Sequence, residues 1–317
     1  MVAFNNESTE TGFYITAFQS LGSGNTNYLL LGLGIIYLIT LTANCLLLTL
    51  CMIDPSLHNP KYVAVCNLAV VDISMNSVII PQMVRIFVFN LNHVSFGMCF
   101  TQMFFMHFFG DLETFSLALL AYDRFIAICW PLRYSAILTN TRMVLILAGI
   151  WLLVFLLEVF PVTLASKLPY CGSRMVKSCC CEHGPVYVLA CGDTSYNRLL
   201  ATAKTLSVLF SSLTFIILSY VVVVVAVLKI ASSTQRSKAF FTCLTHSILV
   251  LVYYLPVILA YILPRLNVIR SPDVLTAVLT VSVTMPPMLN PIIYSLRTEE
   301  LQIKIMKLLK RQKLSSA

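Results

Sequence analysis

Five ionisable side chains stand where an apolar sequence should not keep them: Asp72, Asp111, Glu113, Glu158 and Lys204. Each lies inside a hydrophobic run, where a charge costs about 2.5–3.5 kcal/mol on insertion scales. Asp72 and Glu113 fall mid-run on segments able to neighbour each other, with Asn44 and Asn290 as further polar residues. Two close carboxylates do not both stay ionised without a cation or proton between them. A sodium ion or a shared proton is therefore expected there, and no other cofactor is implied. Glu158 reads as a paired group or one near the interface. His107, Gly110, Asp111 and Thr114 follow i, i+3, i+4, i+7 spacing and share one helix face. A polar stripe beside a glycine reads as a cavity wall able to hold a small molecule, or as a helix contact. In "AYDRFIAICWPLRYS", Asp123 and Arg124 close an apolar run and Pro131 ends the helix. The pair is either a surface ion pair or a contact that switches. Cys179, Cys180 and Cys181 with His183 read as a metal cluster or, on an oxidising face, the cysteines alone as disulfide partners. Cys243 near His246 has the elements of a nucleophile pair but no further catalytic support, so no enzyme is expected.

The elements that must position these groups are membrane helices. The chain has 317 residues, 58% hydrophobic and 11% charged, against about 25% charged in a soluble domain. The net charge of +8 has almost no soluble surface to carry it, which excludes a nucleic-acid partner and makes the lipid bilayer the first partner. Apolar runs long enough to cross lie near 28–53, 61–86, 97–129, 142–165, 197–228, 239–263 and 272–295. Lipid offers backbone groups no partners, so these runs are expected to be helices, even the valine-rich "YVVVVVAVL". The expected fold is an all-α membrane protein, a seven-transmembrane helix bundle with a short amphipathic eighth helix. Thirteen of the 21 basic residues fall on the side of the tail, which places it in the cytoplasm and the N-terminus outside, in the plasma membrane. No basic start and short apolar core mark a cleavable signal, so the first span is expected to direct insertion. Asn6-Glu7-Ser8 is then a glycosylation acceptor on the outer side. Three regions follow: an extracellular tail over 1–27, a seven-helix transmembrane bundle over 28–295 and a cytoplasmic tail over 296–317. Ile303, Met306 and Leu309 form the apolar side of that tail, drawn to anionic lipid.

Four motifs in order resemble odorant receptors, a branch of the rhodopsin-like G-protein-coupled receptors. "LHNPKYVAVCNLAVVDI", "AYDRFIAICWPLRYS", "SKAFFTCLTHSILV" and "PPMLNPIIYSLR" are similar to that family's signatures in spans two, three, six and seven. The resemblance implies an odorant receptor: a small odorant ligand in an outer pocket, and a heterotrimeric stimulatory G protein of the olfactory type that raises cAMP. It implies that Asp123 holds Arg124 at rest and releases it toward Tyr220 and Tyr294. Asp72, Glu113 and Asn290 would form the polar switch core, with the bend of span seven at Pro291. It also implies the pairs Cys99–Cys181 and Cys171–Cys191, Cys181 lying ten residues from each of the latter two.

Departures from the signatures include Lys61, Phe125 and Ile126. Pro256 and Arg265 look like the older branch of the family, common in fish and retained as class I receptors. The pocket is expected among spans three, five and six, lined by His107, Gly110, Asp111, Thr114, Lys204, Tyr254, Ala260 and Tyr261, with Arg265 at the rim. If Lys204 pairs with Asp111, Arg265 is left to hold a carboxylate. If Asp111 is free, an amine or zwitterion fits. A non-olfactory receptor for an amine, peptide or metabolite is the nearer alternative. A transporter or channel is the remoter one, since no inverted repeat or paired broken helix is visible.

Overall fold

The computed structural model describes residues 12–16, 18, 23–229, 232–262, 272–297 and 301–306. Long helices run through them in chain order: α1 Ser23–Ile53, α2 Pro60–Phe89, α3 Phe96–Cys129, α4 Asn140–Ser166, α5 Ser195–Leu228, α6 Ser233–Ile262 and α7 Pro272–Arg297. Six of these are long and apolar enough to cross a membrane by themselves. The exception is α3, which carries Asp111, Glu113, Asp123 and Arg124. With the helical segment after it, bent by 111°, it supplies the seventh span.

Local chemistry sets the helix ends. The Asn59 side chain accepts from the Tyr62 amide ahead of Pro60, and Ser95 and Thr139 cap α3 and α4 in the same manner. At the far end of α2, Asn90 takes the left-handed conformation, φ 52°, that commonly stops a helix. After α3 the chain turns through Pro131–Arg133 and a short helical turn, Tyr134–Ile137.

α3 is the central helix, packed on α2, α4, α5 and α6, while α1 and α7 close on α2. This is why the polar residues of α3 are the buried ones. Exposed apolar side chains such as Leu145, Leu152, Phe155, Phe215, Val221 and Leu251 lie around the outside, where lipid takes the place of water.

One end of the bundle is closed by a small sheet. β1 (Gly12–Ile15) lies between β2 (His93–Ser95) and β3 (Met175–Val176), antiparallel to the first and parallel to the second. Only glycine fits at position 12: a Cβ there would sit 2.3 Å from the Val94 carbonyl oxygen. Phe13 is fully buried, its ring edge-on to Phe96 and Tyr170 at 4.8 and 5.0 Å. The sequence reading took residues 1–27 as a tail. Four of them form this strand, because their partners lie about eighty and one hundred and sixty residues away and leave no local signature. Cys99 is bonded to Cys181 and Cys171 to Cys191, with Cα atoms 5.4 and 5.9 Å apart, which ties the loop carrying β3 over the bundle.

At the opposite end, residues 301–306 form a helical turn. Leu301 is fully buried in the main core, while Ile303 and Met306 face outward. Lys304 is ion-paired with Asp54 and also donates to Ser56 Oγ at 3.0 Å. Leu309 lies outside the described residues.

Candidate functional site

Beneath the sheet two cavities meet. The inner one, about 70 Å³, is lined by Met75, His107, Gly110, Asp111, Glu113, Thr114, Glu182 and Tyr253, with apolar residues from α5 and α7. The wider one, about 340 Å³, is lined by His107, Glu182, His183, Tyr187, Arg198 and Ala260, among others. A cavity of that size suits a small ligand. The stripe His107, Gly110, Asp111, Thr114 therefore faces open space as its spacing predicts. Thr114 shares a 2.6 Å hydrogen bond with the Tyr253 hydroxyl, which also donates to the Gly110 carbonyl at 2.9 Å.

Three placements depart from the sequence reading. Tyr254 does not line this cavity: its hydroxyl is 2.7 Å from Ser212 Oγ, and its ring borders a lipid-side groove between α5 and α6. Its neighbour Tyr253 faces the cavity instead, since successive helical residues point about 100° apart. Lys204 does not line either cavity. It stands behind Asp111, at a cleft between α4 and α5, with its ammonium drawn to carboxylates on two other helices. Glu113, absent from the expected pocket lining, joins the cavity floor, because three residues past Gly110 is still nearly the same face. Arg265 and Asn6 lie outside the described residues, and so does the side chain of Tyr261.

Lys204 Nζ is 3.2 Å from Asp111 Oδ2 and is also ion-paired with Glu158, all three buried. The three come from α5, α3 and α4. Glu158 Oε2 has no hydrogen-bond partner.

Below the cavity, Asn290 Nδ2 donates to Asp72 Oδ1 at 3.0 Å and to Glu113 Oε1 at 3.1 Å. One amide thus bridges the two carboxylates. Asn44 donates to the Pro287 carbonyl at 3.1 Å, and Asn76 to Thr40 Oγ1 and the Thr284 carbonyl at 2.7 and 3.2 Å. These bonds tie α1 and α2 to α7 where Pro286, Pro287 and Pro291 interrupt its ladder. Asp72 Oδ2, Asn44 Oδ1, Asn76 Oδ1 and Asn290 Oδ1 are buried without partners.

At the end remote from the sheet, Arg124 Nη2 lies 3.3 Å from Asp123 Oδ2. That contact is an ion pair without the alignment of a hydrogen bond, since Asp123 Oδ2 accepts none. The Tyr134 hydroxyl donates to Asp123 Oδ1 at 2.7 Å. Burial and the neighbouring Asp123 charge push the Tyr134 phenol above its usual range, so it stays a donor. Tyr220 is 2.6 Å from His246 Nδ1, their rings stacked 5.6 Å apart, and Tyr294 is buried nearby in the main core cluster. Sequence reasoning missed Tyr134, His246 as a partner of Tyr220, and the loop residues Glu182 and His183 as cavity lining, His183 having been named only for a metal cluster. Only the last pair carried a signal, as polar residues next to Cys181.

No group of three or more His, Cys, Asp or Glu residues among the described residues could hold a metal ion, so the metal reading of Cys179–Cys181 with His183 does not stand. Cys181 is taken by its bond to Cys99. Cys179 and Cys180 remain buried thiols, 3.4 Å apart.

Residues 33–312 match the olfactory receptor family. The chain is 36% identical to human olfactory receptor 52K1, covering 87% of this chain and 88% of that one. It is 38% identical to human olfactory receptor 10A2, with 90% and 94% covered, and 37% identical to human olfactory receptor 51I1, with 86% and 87% covered. Members of this family are receptors rather than enzymes, and the apolar helices make this one a multi-pass membrane protein. With the four motifs, the central α3 and the covered cavity, these matches place the chain in the olfactory receptor family of G-protein-coupled receptors.

Proposed function

We propose that this receptor binds a small odorant in the paired cavities beneath the sheet and activates a stimulatory, olfactory-type G protein that raises cAMP. The observation that carries this reading is the build of α3. One helix lines the cavity with His107, Asp111 and Thr114 and, about two to five turns on, presents the Asp123–Arg124 pair at the opposite end. A shift of α3, α6 or α7 at the ligand end is felt at that pair. Released from Asp123, Arg124 would turn toward Tyr220 and Tyr294 and open a cleft for the G protein, a bistable contact of the kind receptors use. The sheet end then faces outside and the Arg124 end the cytoplasm, in line with the excess of basic residues on that side.

Asp72, Glu113 and Asn290 form the middle of this relay, with Pro291 as the hinge. The partnerless buried oxygens of Asp72 and Asn290 fit a bound sodium ion or a proton shared by the two carboxylates. The class I branch reading rests on Pro256 inside α6 and on Arg265; the relatives named above, from series 52, 51 and 10, are almost equally similar.

The test is a cAMP reporter in cells expressing the full chain, screened with small acids, amines, amino acids and steroids. A saturable response in the parent, lost in Arg124→Ala at equal surface expression, is expected. An intact response in Arg124→Ala would remove the switch role.

A further inference from the structure

The inner cavity is lined by the carboxyl groups of Asp111, Glu113 and Glu182, without a lysine or arginine among its described lining residues. Lys204, behind the wall, is shared between Asp111 and Glu158. Lys204 is thus engaged by two buried carboxylates on the far side of the wall. The sequence reading favoured an acidic ligand if Lys204 and Asp111 paired. They do pair, and Glu158 joins them; Arg265, the anchor expected for an acid, lies outside the described residues.

A second feature points the same way. His183 is 7% exposed, lines the wider cavity and has neither ring nitrogen hydrogen-bonded. Its ring is stacked 4.7 Å from His107 and 5.4 Å from Tyr187. Burial, with the Lys204 charge behind it, holds His183 down at about 3, so its imidazole is neutral and keeps a lone pair to accept a hydrogen bond. Burial also pushes the Glu182 carboxyl up to about 8, which an arriving cation would reverse. His107 and Glu182 line both cavities, so these groups stand at their junction.

Building on the odorant-receptor reading, we propose that the ligand is a protonated amine. Its N–H groups are shared among Asp111, Glu182 and His183 at the junction, and its hydrocarbon body fills the wider cavity. Stacked aromatic faces beside the ammonium add cation–π attraction. Lys177 and Arg198 also line the wider cavity, but both are exposed. Water-screened cations give a carboxylate ligand little, and the described lining of the inner cavity offers it no lysine or arginine at all.

The experiment compares hexylamine, hexanol and hexanoic acid, extended to longer and aromatic analogues in the same three head-group classes. Two readouts are taken: Tm of the purified full-length receptor in lipid nanodiscs, and cAMP in cells. Amines should raise both, at concentrations about ten-fold or more below the matching alcohols, the worth of one charge-assisted hydrogen bond. Asp111→Asn and Glu182→Gln should each shift the amine response by a similar factor. Should Asp111→Asn fail to fold, Glu182→Gln, in the loop, carries the test. Responses to acids but to no amine would overturn the amine and leave the receptor reading standing. Amine-dependent Tm shifts without any cAMP would support the amine and overturn the coupling. Amine responses unchanged in both variants would overturn the site.

Discussion

Tyr134, in the turn after α3, donates its hydroxyl to Asp123 Oδ1 at 2.7 Å and so holds the carboxylate from the side opposite Arg124. Asp123 is 1% exposed, so this bond supplies part of the solvation that burial removes. In the proposed switch, the resting state would depend on this loop residue as well as on the adjacent arginine.

Tyr134→Phe should raise basal cAMP at matched surface expression. A hydrogen bond to a charged group is worth about 1.5–3 kcal/mol, enough to move a two-state balance ten-fold or more. Basal signalling equal to that of the parent would mean that the tyrosine only anchors the turn.

Lys204→Met should be far more damaging than its place behind the cavity suggests. It strands Asp111 and Glu158 as buried carboxylates, an effect of about 3–5 kcal/mol. Surface expression measured by antibody labelling should fall. Adding Glu158→Gln should recover part of it, and no recovery would show that the two side chains are not energetically coupled.

Asp72→Asn combined with Glu113→Gln should abolish any dependence of basal activity on sodium, because the carboxylates bridged by Asn290 are the acids of that polar core. A double variant that still follows sodium as the parent does would place the ion elsewhere, or leave these residues a purely structural role.

Non-reducing peptide mapping should recover Cys99 linked to Cys181 and Cys171 to Cys191, each bond worth about 2–4 kcal/mol. Alkylation should label Cys179 and Cys180 only after unfolding, since both are fully buried. A Cys99–Cys171 peptide would contradict the arrangement.

Lys304→Gln should loosen residues 301–306, seen as faster hydrogen exchange there. Hydrogen bonds from Lys304 and Ser56 hold the Asp54 carboxyl down at about 2. A lowered carboxylate stabilises above its unfolded value near 4 and loses that contribution only as pH falls through about 2. The attachment should therefore be unaffected by pH between 5 and 8. A strong pH dependence in that range would assign it to another group.

Much of the bundle was legible because lipid imposes length and leaves backbone groups no outside partner. The start of α6 was less so. Its first residues, from Ser233, are polar and helical, so hydropathy places the span six residues late. Within the site, spacing on a single helix was readable, as for His107 to Thr114. Relations between helices were not. The pairing of Lys204 with Glu158 spans 46 residues and depends on how α4 and α5 are rotated about their axes. The exchange of Tyr254 for Tyr253 has the same origin, an angular error of one residue. Strand β1 was invisible for a different reason, since its partners are distant in the chain.

The three-helix charge cluster also bears on how the chain is made. α3 and α4 leave the ribosome before α5, so Asp111 and Glu158 enter the bilayer while their ammonium partner is still being synthesised. Each incurs the insertion cost of about 2.5–3.5 kcal/mol until Lys204 arrives. Those helices are thus poorly suited to wait dispersed in lipid and gain by staying beside the translocation channel or a membrane chaperone. Biogenesis of this receptor becomes a step of joint release, in which α5 completes a set of helices that none of the earlier spans completes alone.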